Sequence, residues 1–238
     1  MSRHKRAVAA VALGLAGLTA LPTAAQAARR ALVGTFQIAP GRFAPAKGAQ
    51  KAKISGSYFR MTYPGGDPLK KGPYFENSDS AAKDKTYTLF TAGIDKGIRT
   101  GSYQPQPTPA FSANGFALAN RIVRPLLFAG IKFSLSTANV DQQGGVRVTT
   151  PPTIWADGRK LTGDLRSFTA SWNKIYFNQG SPKPNGARPG KTTPIAGSYD
   201  ARTGRYEITW SSQIVGGPFN DFTGRWHFEG VFKAGGAR

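Results

Sequence analysis

The segment RYEITWSSQIV, residues 205–215, sets Tyr206, Ile208 and Trp210 between Arg205, Glu207 and Thr209. A period of two sends the first set to one face of a β-strand and the second to the other, so the stretch predicts a half-buried strand. RWHFEGVFK, residues 225–233, repeats the pattern: Trp226, Phe228 and Phe232 share one face, and Arg225, His227, Glu229, Val231 and Lys233 share the other. The two runs read as antiparallel neighbours. GGPFNDFTG, 216–224, joins them and is too long for a two-residue turn. There Gly216 and Gly217 free the backbone for a sharp exit and Pro218 has no N–H for a ladder. Phe219 and Phe222 are then placed to fold back over the end of a core.

Helix formers are scarce. Glutamate occurs only at Glu76, Glu207 and Glu229, against 29 glycines and 17 prolines. Further strand candidates cover 31–38, 52–63, 85–92, 126–137, 145–150, 153–156 and 160–172, separated by Gly, Pro, Asn and Asp. Asp157-Gly158 predicts a type I′ hairpin, and Asp200 with Gly204 frames another tight turn. One segment reads as a helix: NGFALANRIVR, 114–124, with Asn114 as N-cap and Pro125 past its end. The expected fold is all-β, a single antiparallel sandwich or barrel of about ten strands with one short helix. Pairing of LVGTFQI with HFEGVFK would close it. Residues 28–238 read as one β-domain with two long loops, 103–111 and 178–194.

At the N-terminus, basic MSRHKR precedes the uncharged run AVAAVALGLAGLTAL, 7–21, and then PTAAQA with Ala25 and Ala27 flanking Gln26. This is the pattern of a signal peptide over 1–27, cleaved before Ala28, leaving a secreted or extracytoplasmic chain without a transmembrane anchor. The sequence holds no cysteine. That excludes disulfides, lipid attachment at a cysteine and c-type haem, so the exported chain must be held by its core. Lysine and arginine number 32 against 12 acids, a formal charge of +20, and loss of Arg3, Lys5 and Arg6 with the leader lowers it to +17. Such a charge favours polyanions. Inside a cell that would mean nucleic acid. For an exported chain it means an anionic envelope polymer or an acidic partner, and no nucleic acid. The cations are spread along the chain, so charge alone does not locate a site.

Several chemistries lack their residues. His227 is the one histidine outside the leader, which rules out zinc clusters and leaves one base for nucleophile–histidine catalysis. No G-x-S-x-G, phosphate-cradling glycine loop or dinucleotide fingerprint occurs. No cofactor and no metal are expected. His227 lies next but one to Glu229 on a polar strand face, so a charge-assisted contact in a solvated row is expected. Asp164, Asp200, Asp221, Glu207 and Glu229 are the candidates for a glycosidase carboxylate pair, with no spacing that marks one. Sugar binding fits the composition better. Trp172, Asn173, Tyr176, Asn178 and Gln179 place aromatic faces and amides beside the cations Lys183 and Arg188. The expected function is that of a non-enzymatic, basic envelope protein binding an anionic surface or wall glycan. A carrier of a small apolar ligand beneath the 114–124 segment is the alternative, and a glycoside hydrolase the third.

WNKIYFNQGSPKPNG, TGRYEITWSSQIVGGPF and FTGRWHFEG resemble the closing segments of uncharacterised secreted bacterial β-proteins that carry a W-x-S-x-I-V-G-G-P-F strand and loop. The resemblance spans 172–230. It implies a shared β-fold and export, and no residue roles.

Overall fold

The computed structural model describes residues 29–70, 72–147 and 150–235. The leader read over 1–27 and its cleavage before Ala28 lie outside the described residues. In chain order the first strands are β1 (Arg30–Ala31), β2 (Gly34–Ile38), β3 (Arg42–Ala44), β4 (Lys53–Ser55), β5 (Tyr58–Asp67), β6 (Gly72–Tyr74), β7 (Thr88–Leu89) and β8 (Gly97–Thr100). Then come β9 (Leu126–Phe128), β10 (Ile131–Thr137), β11 (Thr153–Asp157), β12 (Lys160–Asp164), β13 (Phe168–Trp172), β14 (Ile175–Asn178), β15 (Ile195–Tyr199), β16 (Arg205–Gln213) and β17 (Thr223–Ala234).

The fold is all-β, with antiparallel sheets that include a curled half-barrel. The large sheet runs β1-β11-β12-β15-β16-β17-β2-β8, with β5 also on β17. A four-stranded sheet, β14-β13-β10-β9, packs against it, and β3 and β4 form a separate pair. β16 and β17 are the spine, in register from Arg205 opposite Val231 to Gln213 opposite Thr223. The alternation read from their sequence is the alternation of burial. Tyr206, Ile208, Trp210, Trp226, Phe228 and Phe232 are all buried. Phe168 of the small sheet meets Trp210 and Trp226 at ring distances of 5.3 and 5.2 Å, and so joins the two layers. The expected closure between β2 and β17 is present, with Phe232 opposite Phe36.

The other edge of β17 is shared. β5 occupies it at Thr223–His227 and β2 at Gly230–Ala234. Between these two partners the chain leaves the sheet as the β3–β4 hairpin and returns. Glu229 stitches the base of this excursion. Its carbonyl accepts the Ala39 N–H at 2.8 Å and the Ser57 hydroxyl at 3.1 Å, and its side chain accepts the Gly56 N–H at 2.7 Å. At Gly56, φ is 75° and an added Cβ would lie 2.0 Å from the Pro40 carbonyl oxygen, so only glycine fits this crossing.

Three expectations are corrected. No helix forms over 114–124. Gly115 has φ 80°, and Gly115, Ala117 and Ala119 are buried in alternation with less buried neighbours, so the segment runs as an extended strap. The Ala117 N–H donates to the Lys132 carbonyl, and Ala92 bridges Val123. Among the described residues the strands number 17, well above ten: turns split predicted runs, Gly56 dividing 52–63 and Ala129-Gly130 dividing 126–137, and β3, β6, β8 and β14 lie outside those runs. In the β11–β12 hairpin Asp157 pairs with Lys160, so the loop is Gly158-Arg159, and only Gly158 has positive φ. That is the type II′ pattern.

The GGPFNDFTG connector is ordered. Asp221 N–H donates to the Ile214 carbonyl and Ile214 N–H to the Phe222 carbonyl, while the Asn220 side chain accepts the Gly216 N–H at 2.6 Å. Phe219 and Phe222 pack on the core edge, half-buried.

Candidate functional site

The residues read as sugar ligands divide into two groups. Four of them have folding roles. Trp172 donates its indole N–H to the Phe128 carbonyl at 2.7 Å. Asn173 and Lys174 turn the chain between β13 and β14 with φ 48° and 61°, the paired positive values of a tight hairpin. Tyr176 leans on Phe111. Gln179 is buried beneath both central indoles: its carbonyl accepts Trp210 Nε1–H at 2.8 Å and its Oε1 accepts Trp226 Nε1–H at 3.1 Å. A buried indole N–H needs such an acceptor.

Asn178 and Lys183 belong to the second group. They line a cleft of about 380 Å³ between the turn at 141–146 and the 182–189 loop, with Asp141, Gln143, Pro189 and Val215. Arg188 is exposed beside it. Lys183 is 6% exposed. Its amine donates to the Asn178 carbonyl at 2.5 Å and to Ser212 Oγ at 2.8 Å, while the Ser212 hydroxyl donates onward to the Gly180 carbonyl. Burial pulls this amine down to about 7, against the opposing pull of the Asp141 charge. Asp141 itself caps its own turn, its carboxylate accepting the Gln143 and Gly144 N–H groups at 3.1 and 2.8 Å. Gln143 ties the two walls together. It accepts the Asn178 N–H at 2.7 Å and donates to the Val215 carbonyl at 2.6 Å. The cleft is within the size range of small-molecule sites, about 300–1,000 Å³. It offers amides, one buried amine and apolar walls. Sequence reasoning missed Asp141 and Gln143, because nothing in DQQGG ties that turn to a lysine far along the chain.

His227 is not on a solvated face. Its side chain is 12% exposed, stacked on Tyr58 at 4.6 Å, with Nε2 3.2 Å from Glu229 and Nδ1 3.7 Å from Glu207. Glu207 and Glu229 are directly opposite on β16 and β17. Like charges so placed repel, and the imidazole lies between them. Beyond Tyr58, Arg60 stacks on Tyr74 and Tyr87 at 3.3 and 4.1 Å. No group of three or more His, Asp or Glu side chains suited to a metal ion occurs among the described residues.

The apolar cavity between the sheets, lined by Phe59, Phe133, Trp172, Phe219 and Trp226, holds only about 40 Å³. That is room for a water molecule and well below a ligand site. Set against known proteins, the chain matches no protein family, no curated sequence and no solved structure.

Proposed function

We propose that this chain is an exported, non-enzymatic protein that binds an anionic surface or wall glycan, with the Lys183 cleft as a contact for one unit of the polymer. The observation that carries the reading is the state of the cations. Among the described residues, only Lys70, Arg99, Arg121 and Arg166 pair a lysine or arginine with a carboxylate. Of the remaining cations, Lys183 is buried and Arg60 and Arg225 are half-buried, while most of the others are exposed and available to an outside polyanion. The filled core supports a binder over an apolar-ligand carrier. The leader pattern of the sequence over 1–27 supports export.

The experiment is a pull-down of the purified protein on an anionic envelope glycan and on a neutral glucan, across a salt series. Retention on the anionic polymer that weakens with salt is expected. Absence of retention at low salt would remove the reading.

A further inference from the structure

We infer that the β3–β4 hairpin is a cationic arm that docks on a polyanionic chain, through charge and without insertion of apolar side chains. This rests on the glycan-binding reading and names the surface that does most of the binding. The first observation is composition in place. The sequence has no acidic residue before Asp67, and the hairpin from Arg42 to Ser55 carries Arg42, Lys47, Lys51 and Lys53. None of the four pairs with a carboxylate among the described residues, and all four are exposed. The hairpin itself holds no carboxylate, so its own side-chain charge has one sign.

The second observation is isolation. β3 and β4 pair only with each other. The bridges between Lys47 and Gln50 close the tip, and among the described residues no hydrogen bond from 42–55 reaches the rest of the protein. A bare two-stranded ribbon of this kind is marginal by itself. Its base is fixed instead, by the Gly56 crossing and by Glu229, which bonds both the outgoing and the returning chain. The arm is held at a set place in the gap between β2 and β5, where it contributes nothing to the core.

The third observation chooses the partner. Arg42 faces Ser55 and Lys53 faces Ala44, so Arg42 and Lys53 are diagonal neighbours on one side of the ribbon, about 7–8 Å apart by ordinary sheet geometry. That is within a Debye length at physiological salt, so their fields add. The only large apolar side chains, Phe43 and Ile54, are half-buried and opposite one another, next to the base. From Pro45 to Ala52 the arm has only Pro, Ala, Lys, Gly and Gln. It lacks the aromatic and aliphatic wedge that a membrane-inserting loop needs. A flexible anionic chain laid along the ribbon uses what the arm has.

The test compares two variants of the full-length mature protein. One replaces Arg42, Lys47, Lys51 and Lys53 by Gln. The other replaces the exposed cations Arg124, Arg159, Lys174 and Lys233 by Gln, matching the loss of charge. Polygalacturonate is the polyanionic probe, dextran the neutral control, and phosphatidylglycerol vesicles the membrane arm. The arm variant is expected to bind polygalacturonate about tenfold more weakly at low salt, with a shallower dependence of log affinity on log salt, because fewer counterions are released. The scattered variant should lose much less. Neither variant should melt below the wild type, since the replaced side chains are exposed. Equal losses in the two variants would overturn the arm while leaving the glycan-binding reading standing. Arm-dependent binding to vesicles but not to polygalacturonate would overturn it in favour of a membrane. Failure of the wild type to bind polygalacturonate at low salt would count against both proposals.

Discussion

Lys183 is the residue whose chemistry depends most on its surroundings. Its amine is lowered from 10.5 to about 7 by burial, so above that pH the folded chain holds it neutral while the unfolded chain keeps it charged. Between the two values the unfolded state binds the extra proton, and stability therefore rises with pH. Below about 7 both states are protonated and the cost of burying the charge is felt in full. The stability of the wild type relative to Lys183→Met should climb from about pH 7 to 10, by at most about 1.4 kcal/mol per unit. Urea midpoints of the two proteins over that range provide the measurement. A difference that does not change with pH would mean that the amine stays charged in the fold. His227 gives a second prediction at this scale. His227→Ala removes the ring between two facing carboxylates and the stack on Tyr58, at a cost of about 1–2 kcal/mol. Adding Glu207→Gln should recover part of it, and additive effects would show that the three groups are not coupled.

Among the elements, the 178–184 loop is fixed by its bonds to the two central tryptophans. Gln179→Ala leaves Trp226 Nε1–H without its acceptor inside the core, and should cost about 1–3 kcal/mol. The Trp210 bond goes to the main-chain carbonyl and survives the substitution. Chemical denaturation of the variant tests this, and an unchanged midpoint would mean that water replaces the side chain. Phe219→Ala and Phe222→Ala, both at half-buried positions, should cost less than the roughly 3–5 kcal/mol of a fully buried ring. Strands whose faces see different surroundings were legible in the sequence. The large side chains of β16 and β17 follow their alternation from Tyr206 to Trp210 and from Trp226 to Phe228, although Ser211 and Ser212 are both buried, and the glycine-phenylalanine pattern shared by β2 and β17 marked them as partners. The 114–124 segment was not legible, because Leu118 and Ile122 stand four apart as on a helix. What fixed its extended course was the left-handed backbone of Gly115 and burial of alternate small residues beside Lys132, which are tertiary facts. The site was half legible for the same reason. Asn178 and Lys183 are close in sequence to the aromatic strand that drew attention to them. Gln179, chosen as a ligand, is consumed by two indoles that only the folded core brings above it. The arm is not legible in the total charge, which is spread along the chain, although no acid precedes Asp67 in the sequence.

For the whole molecule, salt should act with opposite signs on folding and on binding. A formal charge of +20 for the full sequence brings self-repulsion in the compact state. Few of the described cations are relieved by a carboxylate, and no disulfide is available to hold the chain against that strain. Counterions shorten the reach of each charge from about 10 Å at 0.1 M to about 3 Å at 1 M. The repulsion between scattered surface cations then fades, while the aromatic core, which salt does not screen, is left in place. The melting temperature of the protein should therefore rise as sodium chloride is added from low ionic strength, over the same interval in which retention on an anionic glycan falls. Scanning calorimetry and the pull-down in matched buffers make the comparison, and the opposite slopes separate charge screening from a general effect of salt on the fold. If the melting temperature stayed flat while binding fell, the surface charge would be active towards partners but too dispersed to strain the protein. If it fell together with binding, local ion pairs would be holding the structure, and the picture of an uncompensated cationic surface would be wrong.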